Sequence, residues 1–243
     1  MSDTPREGRD VDDSRLLTLS VLHCHIRALE FFLFMAYKAN FVDSLSKKEI
    51  TKETYAKNVA ERKKAIQARI KACLNVTVDQ VRPTYGNTNT GNVARKCFRN
   101  PGVFADCIGL DKDLITDFAC ILSYVSSKST QDHQVFSKMA IAFDGAFKKK
   151  YAWAKYSPTI HKLLIHGSDI IRNAVLPTGF MTEEPIERIL REIRDARLRF
   201  SRKHSRKNNL LDIFNHLNIK SDFIVASREI TPPKNRELAD EVD

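Results

Sequence analysis

The chain has no Cys-x-x-Cys pair, no long unbroken apolar run and no convincing alternation of apolar with polar residues. Its five cysteines, at 24, 73, 97, 107 and 120, are odd in number. The missing pair and the odd count argue against both a disulfide framework and a zinc ribbon, and they fit a reducing, intracellular compartment. The longest apolar stretch, 26–37, is interrupted by Arg27 and Glu30 and falls short of the roughly 20 residues a membrane span needs. The first residues carry Asp3, Glu7, Asp10, Asp12 and Asp13, unlike a signal peptide. No internal repeat occurs. The expectation is a soluble protein without a membrane partner.

Helical periodicity is what remains. It predicts helices over about 20–39, 111–126, 132–150, 182–202 and 210–217. Ser46-Lys47-Lys48-Glu49 has the spacing of a capping box, and a charged helix follows to about residue 74, with Val59, Ile66, Ile70 and Cys73 at near-helical intervals. Residues 75–91 read as a loop, broken by Pro83 and by the run from Gly86 to Gly91. Short helices flank Asn100-Pro101, with Gly109 as their stop. Ser157-Pro158 caps a helix carrying His161 and His166. The fold class expected is all-α, an irregular helical bundle over residues 15–222, with disordered tails at 1–14 and 223–243.

The hydrophobic fraction of 42% is ordinary, but 40 Lys and Arg face 30 Asp and Glu. Residues 187–207 hold nine of those bases against three acids, so +6 of the net +10 sits in one short stretch. A patch of that density favours a polyanionic partner.

On a helix turning about 100° per residue, Ile186, Ile189, Leu190, Ile193, Ala196 and Phe200 fall into one apolar stripe that should pack inward. Glu187, Arg191 and Arg194 share an adjoining face, with Glu184 and Arg202 beside them. Glu187 lies near the positive end of the helix dipole, which favours its ionised form. A Glu187–Arg191 pair would add only about 0.2–0.5 kcal/mol to an isolated helix. A solvated basic face and a surface for nucleic-acid backbone both fit this pattern. Gly91-Asn92 ahead of Arg95-Lys96 is likewise either a turn with an N-cap or a phosphate contact at a helix start.

From His161 onward the chain reads His161-Lys162-Leu163, His166, Ile170-Ile171, Gly179, Glu184, Glu187, then Arg191, Arg194 and Arg197, and later Ser221-Asp222. This series resembles the C-terminal end of the catalytic subunit of the V(D)J recombinase and of the related Transib transposases. Leu22-His23-Cys24-His25-Ile26 with Glu30-Phe31, and Gly91-Asn92-Val93-Ala94-Arg95-Lys96, extend the resemblance over roughly 22–222 in one order. It implies a nuclear DNA recombination protein of RNase-H-like fold, in which three carboxylates hold two Mg or Mn ions for DNA strand cleavage and transfer. Glu187 matches the third carboxylate. Arg191, Arg194, Arg197, Arg202, Lys203, Arg95 and Lys96 are the implied contacts to double-stranded DNA. His161 and His166 match half of a zinc site.

The chain departs from that pattern. It starts inside what resembles the helical insertion, and no strands bearing two aspartates are evident; Asp106, Asp111, Asp113 and Asp117 fall on helices or caps. The Cys-x-x-Cys that would complete the zinc site is absent, and a spacing of five sets the two histidines roughly 140° apart around a helix. His23-Cys24-His25 is a tempting cluster, but successive residues on a helix diverge. The reading is a DNA-binding fragment without the RNase-H sheet, binding no metal tightly and not catalytic by itself. The alternatives are a helical protein-protein module whose basic helix docks an acidic partner, and the C-terminal part of an endonuclease or transposase completed in trans by a polypeptide carrying the sheet. A homodimer is also open.

Overall fold

The computed structural model describes residues 19–39, 41, 51–82 and 86–222. These residues are helical apart from short connections and one two-residue ladder, so the all-α expectation holds. None of their helices is long and apolar enough to cross a membrane. The tails expected at 1–14 and 223–243, and the capping box at Ser46–Glu49, lie outside the described residues. The chain groups into two compact units that divide between Glu183 and Glu184, and each is described by itself.

In the first unit, α1 (Val21–Lys38) is the central element. Ser20 stands at its N-cap and accepts from the His23 N–H. Leu29, Phe32, Leu33, Met35 and Ala36 are fully enclosed, and most of the helix circumference is buried. A helix apolar on nearly every side must be surrounded by others. Its wet stripe is Arg27, Glu30 and Phe34, spaced as neighbours on one helix face.

The surrounding helices are α2 (Lys52–Leu74), α3 (Gly91–Arg99), α4 (Pro101–Ile108), α5 (Lys112–Val125), α6 (His133–Lys150) and α7 (Pro158–Asn173). Helix α2 buries only Ile66, Ile70 and Leu74, one narrow stripe. Its Arg62 Nε donates to the Ala36 carbonyl at 2.6 Å. That closes one of the carbonyls left open where α1 ends. Aromatic rings tie the helices together. Phe32 meets Phe118 at 5.1 Å between centroids, Phe118 meets Phe143 at 5.0 Å, and Phe147 meets Tyr156 at 4.8 Å.

The loop expected over 75–91 contains a short antiparallel ladder, in which Val81 pairs with Asn87 and Arg82 with Gly86. Asp79 precedes it at φ 52°, a conformation that Asp tolerates better than most residues. Its backbone N–H donates to Asn89 Oδ1 at 2.8 Å, and its carboxylate accepts from the Tyr37 hydroxyl at 2.9 Å. These local bonds, rather than alternating side chains, make the ladder. A period-two pattern search therefore passes over it.

Helix ends follow the sequence with two corrections. Gly109 terminates α4 at φ 69°, as expected. Asn100 and Ser157 stand at the N-caps of α4 and α7, but neither side chain makes the capping bond, and Pro at N1 supplies the start instead. Gly179 lies in the short 3-10 turn Thr178–Phe180, where a Cβ would come within 2.3 Å of the Ser126 carbonyl oxygen. Thr178 Oγ1 donates to the Val125 carbonyl at 2.6 Å, which fastens this turn to the end of α5.

The second unit contains α8 (Glu184–Asp195), a π-helical turn (Ala196–Phe200) and α9 (Arg206–Ser221). The regular helix expected through residue 202 therefore ends at Asp195, because the wider turn breaks the 3.6-residue register. The last helix begins at Arg206 rather than at 210, with Ser205 at its N-cap, so its polar first turn was hidden from an apolar periodicity.

Phe118 is fully buried and touches rings from α1, α3 and α6. Phe118→Ala should destabilise the first unit by about 3–5 kcal/mol. Urea unfolding followed by far-UV circular dichroism measures it, and a loss under about 1 kcal/mol would contradict this description of the core.

Candidate nucleic-acid interface

The arginine-rich segment belongs to the second unit. Arg191 and Arg194 lie on the exposed side of α8, and Arg197 is exposed in the π turn. None of the three has an ion-pair partner among the described residues. The acids nearby are taken by other bases: Arg188 reaches Glu192 at 3.5 Å and Arg199 reaches Asp195 at 3.8 Å. The expected Glu187–Arg191 pair does not form among the described residues. Glu187 itself is exposed on α8.

Arg202 and Lys203 are engaged within the hairpin. Arg202 grips Asp212 with two parallel bonds, Nε to Oδ2 at 2.9 Å and Nη2 to Oδ1 at 2.8 Å, and its backbone N–H adds a third at 2.9 Å. Lys203 Nζ donates to the carbonyls of Arg197 and Leu198 at 2.9 and 3.0 Å, closing the end of the π turn. Phe200 stacks on His216 at 4.8 Å, linking that turn to α9. The unit is thus held largely by charged and polar contacts.

The apolar stripe of α8 does not pack inward as expected. Of its six residues only Ala196 is buried; Ile186 is 60% exposed, Leu190 55% and Phe200 61%. Leu210, Leu211 and Phe214 of α9 are exposed as well. Two helices and a turn have too little volume of their own to enclose such side chains. Ile213 is the other buried apolar residue of this unit.

The remaining candidates lie in the first unit. Arg95 and Lys96 are on α3, Lys96 exposed and Arg95 half-buried, with desolvation drawing the Arg95 guanidinium below its usual value. Thr90 caps that helix through the Val93 N–H. His161 and His166 approach each other with ring centroids 5.8 Å apart, closer than their angular separation suggests, because side-chain torsions swing the rings across the turn. No third metal-ligating side chain joins them in a compact cluster among the described residues. The five cysteines, all free, stand elsewhere, and the donor set here is too small for a structural zinc ion.

The His23-Cys24-His25 run diverges as expected. His25 turns inward and bonds the Val21 carbonyl at 3.0 Å, and burial lowers its pKa. Cys24 is enclosed, and burial pushes its thiol up to about 12, as it does for Cys97. Neither is a thiolate nucleophile at neutral pH. His23 points the other way: its Nδ1 lies 2.7 Å from Ser20 Oγ and 3.1 Å from Glu183 Oε2, while Ser20 Oγ donates to the same carboxylate oxygen at 2.8 Å. Sequence reasoning missed this group, since 160 residues separate its members. It fastens the end of the first unit to the start of α1.

A scan against protein-family models and a search of curated proteins each found no match.

The Arg202 guanidinium and backbone N–H hold the Asp212 carboxyl down to about 2, from an ordinary 3.8. Because the folded value is the lower, the bond's contribution is present above pH 3.8 and is lost as pH falls through about 2. An NMR titration should find Asp212 near 2 in the native chain and higher in Arg202→Ala, which loses the guanidinium but keeps the backbone N–H; equal midpoints would contradict the bidentate pair.

Proposed function

We propose that residues 184–222 bind the backbone of double-stranded DNA, in the manner of the C-terminal part of a Transib or V(D)J-recombinase-like transposase. The observation that carries this reading is the exposure of Arg191, Arg194 and Arg197 without ion-pair partners among the described residues. Guanidinium groups not already paired with acids can each displace a counterion from a phosphate. Arg202 and Lys203 shape the hairpin that presents them, and Arg95 and Lys96 would be secondary contacts. Such a protein would act in the nucleus.

The chain by itself is not a nuclease in this reading. Glu187 would be one metal ligand of the three that two-metal strand cleavage requires. Within residues 184–222 no group of three metal-ligating side chains gathers around it. Mg or Mn chemistry of that kind would need carboxylates from outside residues 184–222. The exposed apolar residues of α8 and α9 favour a second reading on the same unit: a face that docks a protein, whether an acidic partner, a polypeptide carrying the missing sheet, or a second copy.

Gel-shift affinity for a duplex should fall steeply with salt, with a slope of about −0.9 per phosphate contact. Replacing Arg191, Arg194 and Arg197 together by Ala should lower that slope by about 3. Absence of binding at low salt, with tight binding to an acidic peptide, would favour the docking reading instead. Metal-dependent nicking by the purified chain, abolished in Glu187→Gln, would overturn the denial of independent activity.

A further inference from the structure

Two of the five cysteines meet. Cys73 lies in the last turn of α2 and Cys107 in the last turn of α4, and these helices pack against each other. Both cysteines are free, and the Cys107 thiol donates a hydrogen bond to the Cys73 sulfur. Cys73 is exposed, whereas Cys107 is buried. One sulfur therefore faces solvent, and its neighbour is held directly behind it. Cys97 also lies within electrostatic reach of Cys107, but it is fully enclosed, as is Cys24.

Reactivity in a thiol pair follows access and thiolate character, so attack on an oxidant begins at Cys73. Burial pushes the Cys107 thiol up to about 11, and the bond to Cys73 holds its proton further. The Arg69 guanidinium, one turn before Cys73 on α2, pulls the other way. Cys107 is placed to resolve whatever forms on Cys73. A disulfide needs its sulfurs at about 2.05 Å, closer than any thiol hydrogen bond, so the backbone must give slightly. Both residues lie where it gives most easily. Helix α2 ends at Asn75 with φ 49° and α4 at Gly109 with φ 69°, and the backbone bonds of each helix run out there. Helix α2 also buries only the stripe of Ile66, Ile70 and Leu74, which leaves little to resist a small shift of its end.

We infer that Cys73 and Cys107 form a redox-reactive dithiol, a modification site at which a small-molecule disulfide such as glutathione disulfide closes a crosslink between α2 and α4. The Cys73 thiolate attacks one sulfur of glutathione disulfide; that S–S bond breaks, and one glutathione leaves and takes up the proton that Cys73 gave to solvent. The Cys107 sulfur then attacks Cys73 in the mixed disulfide and expels the second glutathione, which takes up the Cys107 proton. Both protein thiols are oxidised, and one glutathione disulfide is reduced to two glutathiones. A reducing surrounding reopens the pair by the reverse exchange. The crosslink braces the end of α2, which leads into the ladder at Val81–Asn87. The site lies wholly in the first unit and does not depend on the arginine face.

The test incubates the full chain with glutathione disulfide, blocks the remaining thiols by alkylation, and maps disulfides by peptide mass spectrometry without reduction. The chain carries Cys120→Ser, which removes the other exposed thiol. Cys73 should be found joined to Cys107. Adding Cys107→Ser should stop the reaction at a glutathione adduct on Cys73, with far-UV circular dichroism to check that the variant folds; the map of the chain that keeps Cys107 stands without it. Oxidation should raise the thermal midpoint by roughly 5–10 °C, reversed by dithiothreitol, because a crosslink restricts the unfolded chain. With Cys107 present, a Cys73 that stays unmodified, keeps its glutathione adduct, or pairs with Cys97 or with another copy of the chain would overturn the proposal. An unchanged midpoint in the crosslinked chain would overturn the bracing of α2.

Discussion

Helix α1 is apolar on nearly its whole circumference, and the first unit is built around the need to cover it. Phe32 cannot be enclosed without Phe118 from α5, and Phe118 in turn rests on Phe143 of α6. Each of these rings removes a large apolar area from water, and edge-to-face contact adds direction to the burial. The chain of rings continues through Phe147 to Tyr156. Packing therefore fixes the connection that leaves α6, and with it Lys155, Ser157 and the start of α7. The one stripe of α1 that is not covered, Arg27 to Phe34, faces the groove those residues form.

Residues 184–222 follow a different logic. Here α8, the π turn and α9 are joined by the Arg202–Asp212 fork, the Lys203 cap and the Phe200–His216 stack, while larger apolar side chains stay exposed. A unit held by charged hydrogen bonds can keep its arginines at the surface without a deep core beneath them. It also presents apolar area of a kind that single globular units usually bury. Both traits suit a part that works against something else, whether a polyanion, a polypeptide or both.

Much of this was legible in the chain. The helices from 111 to 126 and from 132 to 150 were readable because apolar periodicity, an Asp cap and flanking breaks agree on the same boundaries. The basic character of 187–207 was readable by counting charge. What escaped was decided by single torsions and local bonds. The π turn at Ala196–Phe200 and the ladder at Val81–Asn87 carry no periodic signature, and the failed caps at Asn100 and Ser157 look like ordinary caps in sequence.

By itself, the amino-acid sequence determined the helical class and the cationic patch, because these follow from residue type and spacing. Tertiary structure decided which charges are available. Arg191, Arg194 and Arg197 remain without acidic partners while Arg202, similar to them in sequence, is held by an aspartate ten residues away. It also brought Ser20, His23 and Glu183 together across the length of the first unit, and set Ser157 against the stripe of α1. The reason is physical. Periodicity reports which face of a helix is apolar, but the partner of a polar group is fixed only when the chain closes.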